Sequence, residues 1–533
     1  MSTGKTFDAD VAIIGYGPTG LSAALSLGHY GIKAIAFERE PAIYPRARAV
    51  TVNDSTMRCF QSLGLDQDLV KVLDETVALR WVTYDGHEIT RLAFPPSTLG
   101  EHPRSYAIYQ PKMEEVMRAR MRDYTGVVDV RFGVEVVGVD QDAEGVTVTS
   151  RDLQTGADDK VRARYALACD GGSSRTRERL GVNMLGETVE RTWVVIDGRV
   201  KRWWPNRHIL TFWSDKQRPV VDIALALGNH RWEFPLETHE SEKDFATQEQ
   251  LWRLLNSLGV TDDMVEIHQH AFYKHHVRHA ETWRVGRVFL LGDAAHLMPP
   301  WAGQGMQSGI RDAFNLGWKL CEVLKGRLPN SLLDTYEAER APTVAMMTAI
   351  AVQMGRIIKQ QLTEEEMAAL SPPPGAPPEE PPLLRPPFLE GGWVRGSVAP
   401  DSAVGKTIPQ PRVADSAGRL CLLDELLGDG FTLLGDGVDP RDLLSPAEKF
   451  GWDALGARYA KVLGADDRGD GANDIIDLGG ALQTWMRGFG VRVVALRPDR
   501  FVAASDVFGL AVPAPDIREG AARAAFAALP PAA

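Results

Sequence analysis

The chain has 533 residues, 44% of them hydrophobic and 24% charged, and a formal net charge of −12. That length exceeds what one hydrophobic core organises and predicts roughly two to four domains. The acidic balance argues against nucleic acid or an anionic membrane as a partner, since both need a basic face, but one or two local arginines would suffice for an anionic small substrate.

The N-terminus reads Met1-Ser2-Thr3-Gly4-Lys5-Thr6-Phe7-Asp8-Ala9-Asp10, with two acids ahead of the first apolar stretch, which is not a signal peptide. Along the chain no apolar run approaches a bilayer-spanning length by reading alone. Cys59, Cys169, Cys321 and Cys421 are scattered without a CxxC pair. That predicts reduced thiols in a cytoplasmic protein, with neither a zinc site nor a disulfide framework.

The first predicted strand is Val11-Ala12-Ile13-Ile14, followed by a helix from Thr19 to about Tyr30, a stop at Gly31 and a strand Ile32 to Phe37. Strand–helix–strand over this span is a βαβ unit and implies a parallel sheet. From Asp129 to Leu167 short alternating strands follow, among them Val134–Val137 and Val146–Thr149 around a Glu144-Gly145 turn. The stretch Glu187 to His279 is strand-like and rich in aromatics and histidines, as in Trp193–Ile196, His208–Trp213 and Arg231–Phe234. It reads as an antiparallel sheet able to wall a flat organic substrate; residue by residue, the competing reading is core aromatics and solvated histidines. Helices are predicted from Gln304 to about Lys325 and from Leu332 to about Gln361. Ser371–Pro378 and Pro381-Pro382 then form neither helix nor central strand and read as a linker. Arg419 to Ala504 reads as a small α/β unit with strands Phe431–Leu434 and Val491–Leu496.

Three motifs carry chemistry. Gly15-Tyr16-Gly17-Pro18-Thr19-Gly20 follows a strand and opens a helix. Its glycines permit the turn, the approach of a pyrophosphate and close helix–strand packing, and the helix N-terminus favours phosphate. Glu38 ends the second strand, with Arg39 beside it, and an acid there suits an unphosphorylated ribose, hence FAD or NAD. The second motif is Cys169-Asp170-Gly171-Gly172-Ser173-Ser174-Arg175, which by itself is also an ordinary turn capping a helix. The third runs from Gly286 through Gly292-Asp293-Ala294-Ala295-His296 to Pro299-Pro300, Gly303-Gln304-Gly305 and a new helix, where small residues admit a flat ring and the helix N-terminus suits negative charge.

At these blocks the chain resembles the group A flavoprotein monooxygenases, in particular their branch acting on hydroxyphenylpropionate. The match extends through Met306, Gly309, Asp312-Ala313, Asn315-Leu316 and Trp318-Lys319-Leu320 to Arg497-Pro498-Asp499-Arg500-Phe501. The resemblance implies an α/β fold: a Rossmann-type FAD-binding domain (1–185 and 281–370), an inserted antiparallel-sheet substrate domain (186–280), a Pro-rich linker (371–390) and a C-terminal thioredoxin-like domain (391–533). It implies FAD contacts at Gly15, Gly17, Pro18, Thr19, Gly20, Glu38, Arg39, Arg46, Arg48, Gln110, Asp170, Gly171, Gly292, Asp293, Pro300, Gly303, Gly305, Met306 and Gln307. Gln307 departs from the asparagine common in relatives.

The implied reaction uses NADH or NADPH to reduce FAD and O₂ to hydroxylate a phenol through a flavin C4a-hydroperoxide, in an enzyme that can form a homodimer. Activating the phenol needs a base, and histidine is the natural type. The candidates are His208, His230, His268, His270, His275, His276 and His296, the last being nearest a flavin motif. His275, His276 and His279 could suggest metal, but a solvated sheet edge fits them better, and no metal is expected. The substrate stays open between a simple phenol and a polyketide or antibiotic ring. A flavin reductase, a halogenase relative or a non-catalytic binder of aromatics are the other readings; Trp203-Trp204-Pro205 does not fit a halogenase motif.

Overall fold

The computed structural model describes residues 6–533 except 364, 367–379, 468, 470, 518, 519, 528 and 530–533. The predicted βαβ unit forms: strand Ala9–Ile14, helix Pro18–His29 and strand Ala34–Glu38, whose two strands pair in parallel. Glycine and alanine at the buried helix positions let it lie close to the sheet, and the strands bury both faces, as a parallel sheet requires.

This sheet has eight strands. Ala9–Ile14 lies between Ala34–Glu38 and Asp158–Ala168, with Val128–Phe132 and Val288–Leu290 outside them, all parallel. The hairpin Val134–Gln141 and Val146–Asp152 turns at 142–145 as expected and extends Asp158–Ala168 antiparallel. The third motif's strand, Val288–Leu290, therefore ends at the same edge as the glycine loop.

A second eight-stranded sheet holds the aromatic segment. Its long strands Met184–Val200 and Val265–Ala280 pair antiparallel, followed by Asn229–Pro235, Val220–Leu225 and Leu210–Trp213. Two further strands, Ala78–Val82 and Glu88–Ala93, come from the N-terminal segment, and Ala78–Val82 pairs in parallel with Leu210–Trp213. The sheet thus reaches beyond residues 186–280, because a pairing so distant in sequence leaves no local signature. The solvated edge expected for His275, His276 and His279 is corrected: His275 and His279 are buried and His276 is partly open, and His230 is buried too. Among the described residues no cluster of ligating side chains could hold a metal, and all four cysteines are free.

A third sheet has seven strands in the order Leu420–Leu422, Arg412–Asp415, Ile475–Asp477, Arg458–Gly464, Thr432–Asp436, Val493–Leu496 and Val502–Ser505. It docks through Arg497, which is fully buried and grips Glu339 with two hydrogen bonds of 2.8 Å each. Lys319 and Asn315 of the helix Gly305–Leu324 also bind Glu339, and Trp318 donates to Asp499. The short C-terminal helix Ala521–Phe526 leaves this unit: Ala522 donates to Glu337, and Phe526 stacks on His279.

The stretch Asn330–Ile358 is long and apolar enough to cross a membrane by length and composition, which corrects the reading of the bare sequence. It is mostly buried within the protein, including the helix Thr335–Ile358 that carries Glu339 to the third sheet. Ser371–Pro378 lies outside the described residues.

Candidate active site

One cavity of ≈ 660 Å³ runs from the glycine loop to the second sheet. At its first end Gly15 has φ +91°, and a Cβ there would meet the Cys169 carbonyl oxygen at 2.5 Å. A Cβ on Gly20 would overlap the Gly15 carbonyl. Both glycines therefore serve packing. Gly17 differs: a Cβ there would meet nothing within 4 Å, so its bareness faces the cavity. No acid stands in the first turn of the helix Pro18–His29 to compete for an anion. Glu38 is fixed by accepting hydrogen bonds from the Tyr16 N–H at 2.7 Å and the Glu40 N–H at 2.9 Å, and it lines the cavity with Arg39.

The Arg48 segment is held from two sides. Gln110 Oε1 accepts from the backbone N–H groups of Arg48 and Ala49 at 2.9 and 2.8 Å, and its Nε2 donates to Glu114. Arg231, paired with Asp197, donates to the carbonyls of Ala47 and Arg48. Gln110 thus acts on the cavity chiefly through Arg48, whose guanidinium lies over the Tyr44 ring at the wall. Gln110→Ala should leave two N–H groups without their acceptor and weaken FAD binding about tenfold. Flavin fluorescence titration of the variant checks this, and unchanged affinity would show that Arg48 needs no such support.

At the third motif Gly292 has φ +58° and packs on Thr19, as does Gly309, locking the helix Gly305–Leu324 against the glycine-loop helix. Asp293 opens onto the cavity, and the surrounding protein raises its pKa by burial. Gly303 is left-handed, and Gln307 Nε2 donates to its carbonyl at 2.6 Å while Gln307 Oε1 accepts from the Asn53 N–H at 2.8 Å. Gln307 therefore fastens the loop to the strand Thr51–Asn53. At the second motif Asp170 accepts from the Ser174 hydroxyl and the Thr176 N–H, so it holds the turn while lining the cavity with Gly171.

Of the residues expected to contact FAD, Gly20, Arg46 and Gly292 do not line the cavity and the others do; His296 does not line it either. Arg46 is exposed. His296 is buried, with Nε2 2.8 Å from Asp312 Oδ2 and its ring against Trp283. It is turned away from the cavity, which corrects its expected catalytic place. Burial works against the Asp312 carboxylate, but His296 and Arg340 outweigh it and hold the pKa at about 2, below the ordinary 3.8. The unfolded chain therefore takes up this proton first, so the stability from Asp312 is present above about pH 4 and lost as pH falls toward 2. Acid unfolding followed by circular dichroism should show that loss, reduced in Asp312→Asn, whose neutral-pH stability should be lower.

None of the seven candidate histidines lines the cavity. His230 binds Asp222 at 2.6 Å, His275 is wedged between Trp193 and Trp301, and His208 stacks on the exposed Trp203. The far end of the cavity is instead a face of the second sheet, with Leu210, Phe212, Val221 and Ile223, closed by Met347 and Met354 of the long helix. Its polar groups were missed in sequence: Asp54, Arg104, Arg311 and Glu233. Arg311 is buried and donates only to neutral side chains, those of Ser55, Gln304 and Ser308, and its Nε has no partner among the described residues. Burial and the nearby Arg340 lower its pKa to about 10.

Comparison with known proteins agrees with this geometry. A family profile described as "FAD binding domain" matches residues 8–351, and one described as "HcaD C-terminal domain" matches 405–508. The chain is 35% identical over 520 residues to a 3-(3-hydroxy-phenyl)propionate/3-hydroxycinnamic acid hydroxylase of Mycobacterium sp. (strain JLS), covering 93% of this chain and 89% of the relative. It is 32% identical to the Klebsiella pneumoniae (strain 342) protein of that name, covering 93% and 91%. Among solved structures, aklavinone-11 hydroxylase in complex with FAD and aklavinone has a TM-score of 0.78 at 23% identity, covering 98% of this chain and 99% of that one. The anhydrotetracycline hydroxylase of Streptomyces rimosus has a TM-score of 0.71 at 24% identity, covering 94% and 96%.

Proposed function

The chain belongs to the FAD-dependent aromatic hydroxylases, and from that premise we propose that it uses NADH or NADPH and O₂ to hydroxylate a phenol carrying a carboxylate, such as a hydroxyphenylpropionate. The observation that carries this reading is the single cavity joining a dinucleotide cradle to an apolar sheet face. The residues fit FAD: Gly17 leaves room for a pyrophosphate, Glu38 suits a ribose, and Asp293 with Arg48 faces the space between. When bound, FAD supplies the transfer of electrons from nicotinamide to O₂.

The protein's part is to bind, orient and dehydrate. Leu210, Phe212, Val221 and Ile223 offer one flat apolar wall to a ring, and the long helix closes the other side against water. Arg311 supports an anionic substituent, because a buried guanidinium with only neutral partners gains most from a carboxylate. The finer architecture fits the same reading. In the third sheet, Arg458–Gly464 and Thr432–Asp436 pair in parallel and Val493–Leu496 and Val502–Ser505 follow antiparallel, an order that supports a thioredoxin-like unit.

A panel of phenols with and without carboxylates tests the reading by coupled NAD(P)H consumption and product mass. Carboxylated phenols should be hydroxylated with the higher kcat/KM, and Arg311→Met should lower that preference about tenfold or more while leaving neutral phenols nearly unchanged. Equal turnover of both classes would remove the carboxylate from the proposal.

A further inference from the structure

The cavity holds no histidine at its substrate end, yet a phenol must lose a proton there to attack an electrophilic oxygen. Resting on the hydroxylase reading above, we propose that Glu233 is the group that accepts the phenol proton, and that Tyr273 positions it.

Glu233 sits in the strand Asn229–Pro235, where alternation decides the faces. His230, Trp232 and Phe234 point to one side, and the latter two pack in the core under the helix Gln248–Asn256. Arg231 and Glu233 point to the other side, with Glu233 facing the cavity beside Val221 and Ile223. Glu233 is only 4% exposed. A buried carboxylate without a partner is costly, so its surroundings are informative.

The Tyr273 hydroxyl donates to Glu233 Oε2 at 2.6 Å. Oε1 has no hydrogen-bond partner among the described residues and is open to the cavity. Arg231 does not bond to Glu233; it is committed to Asp197 and to the carbonyls of Ala47 and Arg48. The carboxyl is therefore held at one oxygen and open at the other, with Arg231 and Asp197 as its charged neighbours. Burial raises its pKa, Arg231 and the Tyr273 hydrogen bond oppose that, and Asp197 adds to it. These are the charged and titratable groups facing it from its own strand and from Met184–Val200 and Val265–Ala280; the neighbouring Val220–Leu225 presents Val221 and Ile223.

In the step, the phenol O–H bond breaks, its proton moves to Glu233 Oε1, and its electron pair remains on the phenolate oxygen and ring. The ring carbon ortho or para to that oxygen becomes the nucleophile. When the ring recovers its aromaticity, the C–H bond at the attacked carbon breaks and that proton ends on the other oxygen of O₂, which leaves as water, while Glu233 Oε1 returns its proton to the product's oxygen. Glu233 ends as it began, and the step needs no oxidant beyond O₂ and no reductant beyond NAD(P)H.

The test uses FAD-loaded protein and two readouts. First, Glu233→Gln should retain FAD at wild-type stoichiometry yet lower phenol-dependent kcat about 100-fold or more. The wild-type rate should fall as pH drops and Glu233 is protonated; the variant should lack that limb and recover with phenols made more acidic by ring substituents. Tyr273→Phe should shift the limb to higher pH with a smaller loss of rate, since a donor to the carboxylate is gone. Second, bound 4-nitrophenol, whose ionised form is yellow, should ionise at higher pH on wild type than on Glu233→Gln, because the Glu233 carboxylate opposes a second negative charge beside it. Equal ionisation on both, or a variant with the wild-type rate and pH limb, overturns the assignment. Absence of any oxygenated product from wild-type protein across the phenol panel would instead sink the hydroxylase reading.

Discussion

Gly17→Val is expected to give a folded protein that no longer retains FAD. The two other glycines of the loop cannot make this distinction, because a Cβ on Gly15 strikes the Cys169 carbonyl and one on Gly20 strikes Gly15, so either change strains the fold. Gly17 has ordinary extended backbone, φ −70° and ψ −172°, and open space at its Cβ position. A valine there costs the unliganded protein little. It places a branched side chain where the pyrophosphate must approach the backbone at the helix N-terminus. Losing that approach should weaken FAD by about 3 kcal/mol or more, at least ~100-fold in Kd. Comparison of apo-protein melting with FAD titration checks both halves. Wild-type affinity in Gly17→Val would mean that the diphosphate lies elsewhere.

The second large effect is on stability. Glu339 is fully buried and is the common acceptor for Arg497, Lys319, Asn315 and the Trp393 N–H. Burial favours the neutral acid, yet Arg497 and Lys319 overcome it and keep Glu339 ionised far below the ordinary carboxylate range. Glu339→Ala would leave two buried cations without that acceptor, Lys319 with no other carboxylate in hydrogen-bond range among the described residues, at a cost of about 3–5 kcal/mol. Because Arg497 directly follows the third-sheet strand Val493–Leu496 and Glu339 lies in the long helix, the loss should first loosen the docking of that sheet. The chain has several cores, so a single two-state free energy is the wrong readout. Limited proteolysis should release a C-terminal fragment from the variant under conditions where wild type stays intact. An uncut variant with a wild-type melting curve would show that the cluster is dispensable.

Much of this was legible in the residues because the signals were local. The glycine loop, Asp170-Gly171 and Gly292-Asp293 each follow a strand within a few residues, and each reaches the cavity rim. The substrate end was less legible because it is assembled from distant segments. Ala78–Val82 joins Leu210–Trp213 across more than a hundred residues, which no periodicity announces. The seven histidines illustrate the limit of reasoning from residue type: their chemistry suits a base, but burial against Trp193, Trp283 and Trp301 or pairing with Asp222 and Asp312 removes several of them from the cavity. Glu233 had a usable signal. In Arg231-Trp232-Glu233-Phe234 a period of two puts both charged residues on one face and both aromatics on the other, a polar pair on a face that looks inward. Arg311 had none, since its meaning depends on which neighbours are neutral.

The most direct test of the central claim is turnover under ¹⁸O₂ with FAD-loaded protein, NADH or NADPH, and a hydroxyphenylpropionate among the phenols supplied. The account predicts nicotinamide oxidation that depends on the phenol and one ¹⁸O atom in the ring of the product. Nicotinamide oxidation yielding only hydrogen peroxide with every phenol tried would contradict it.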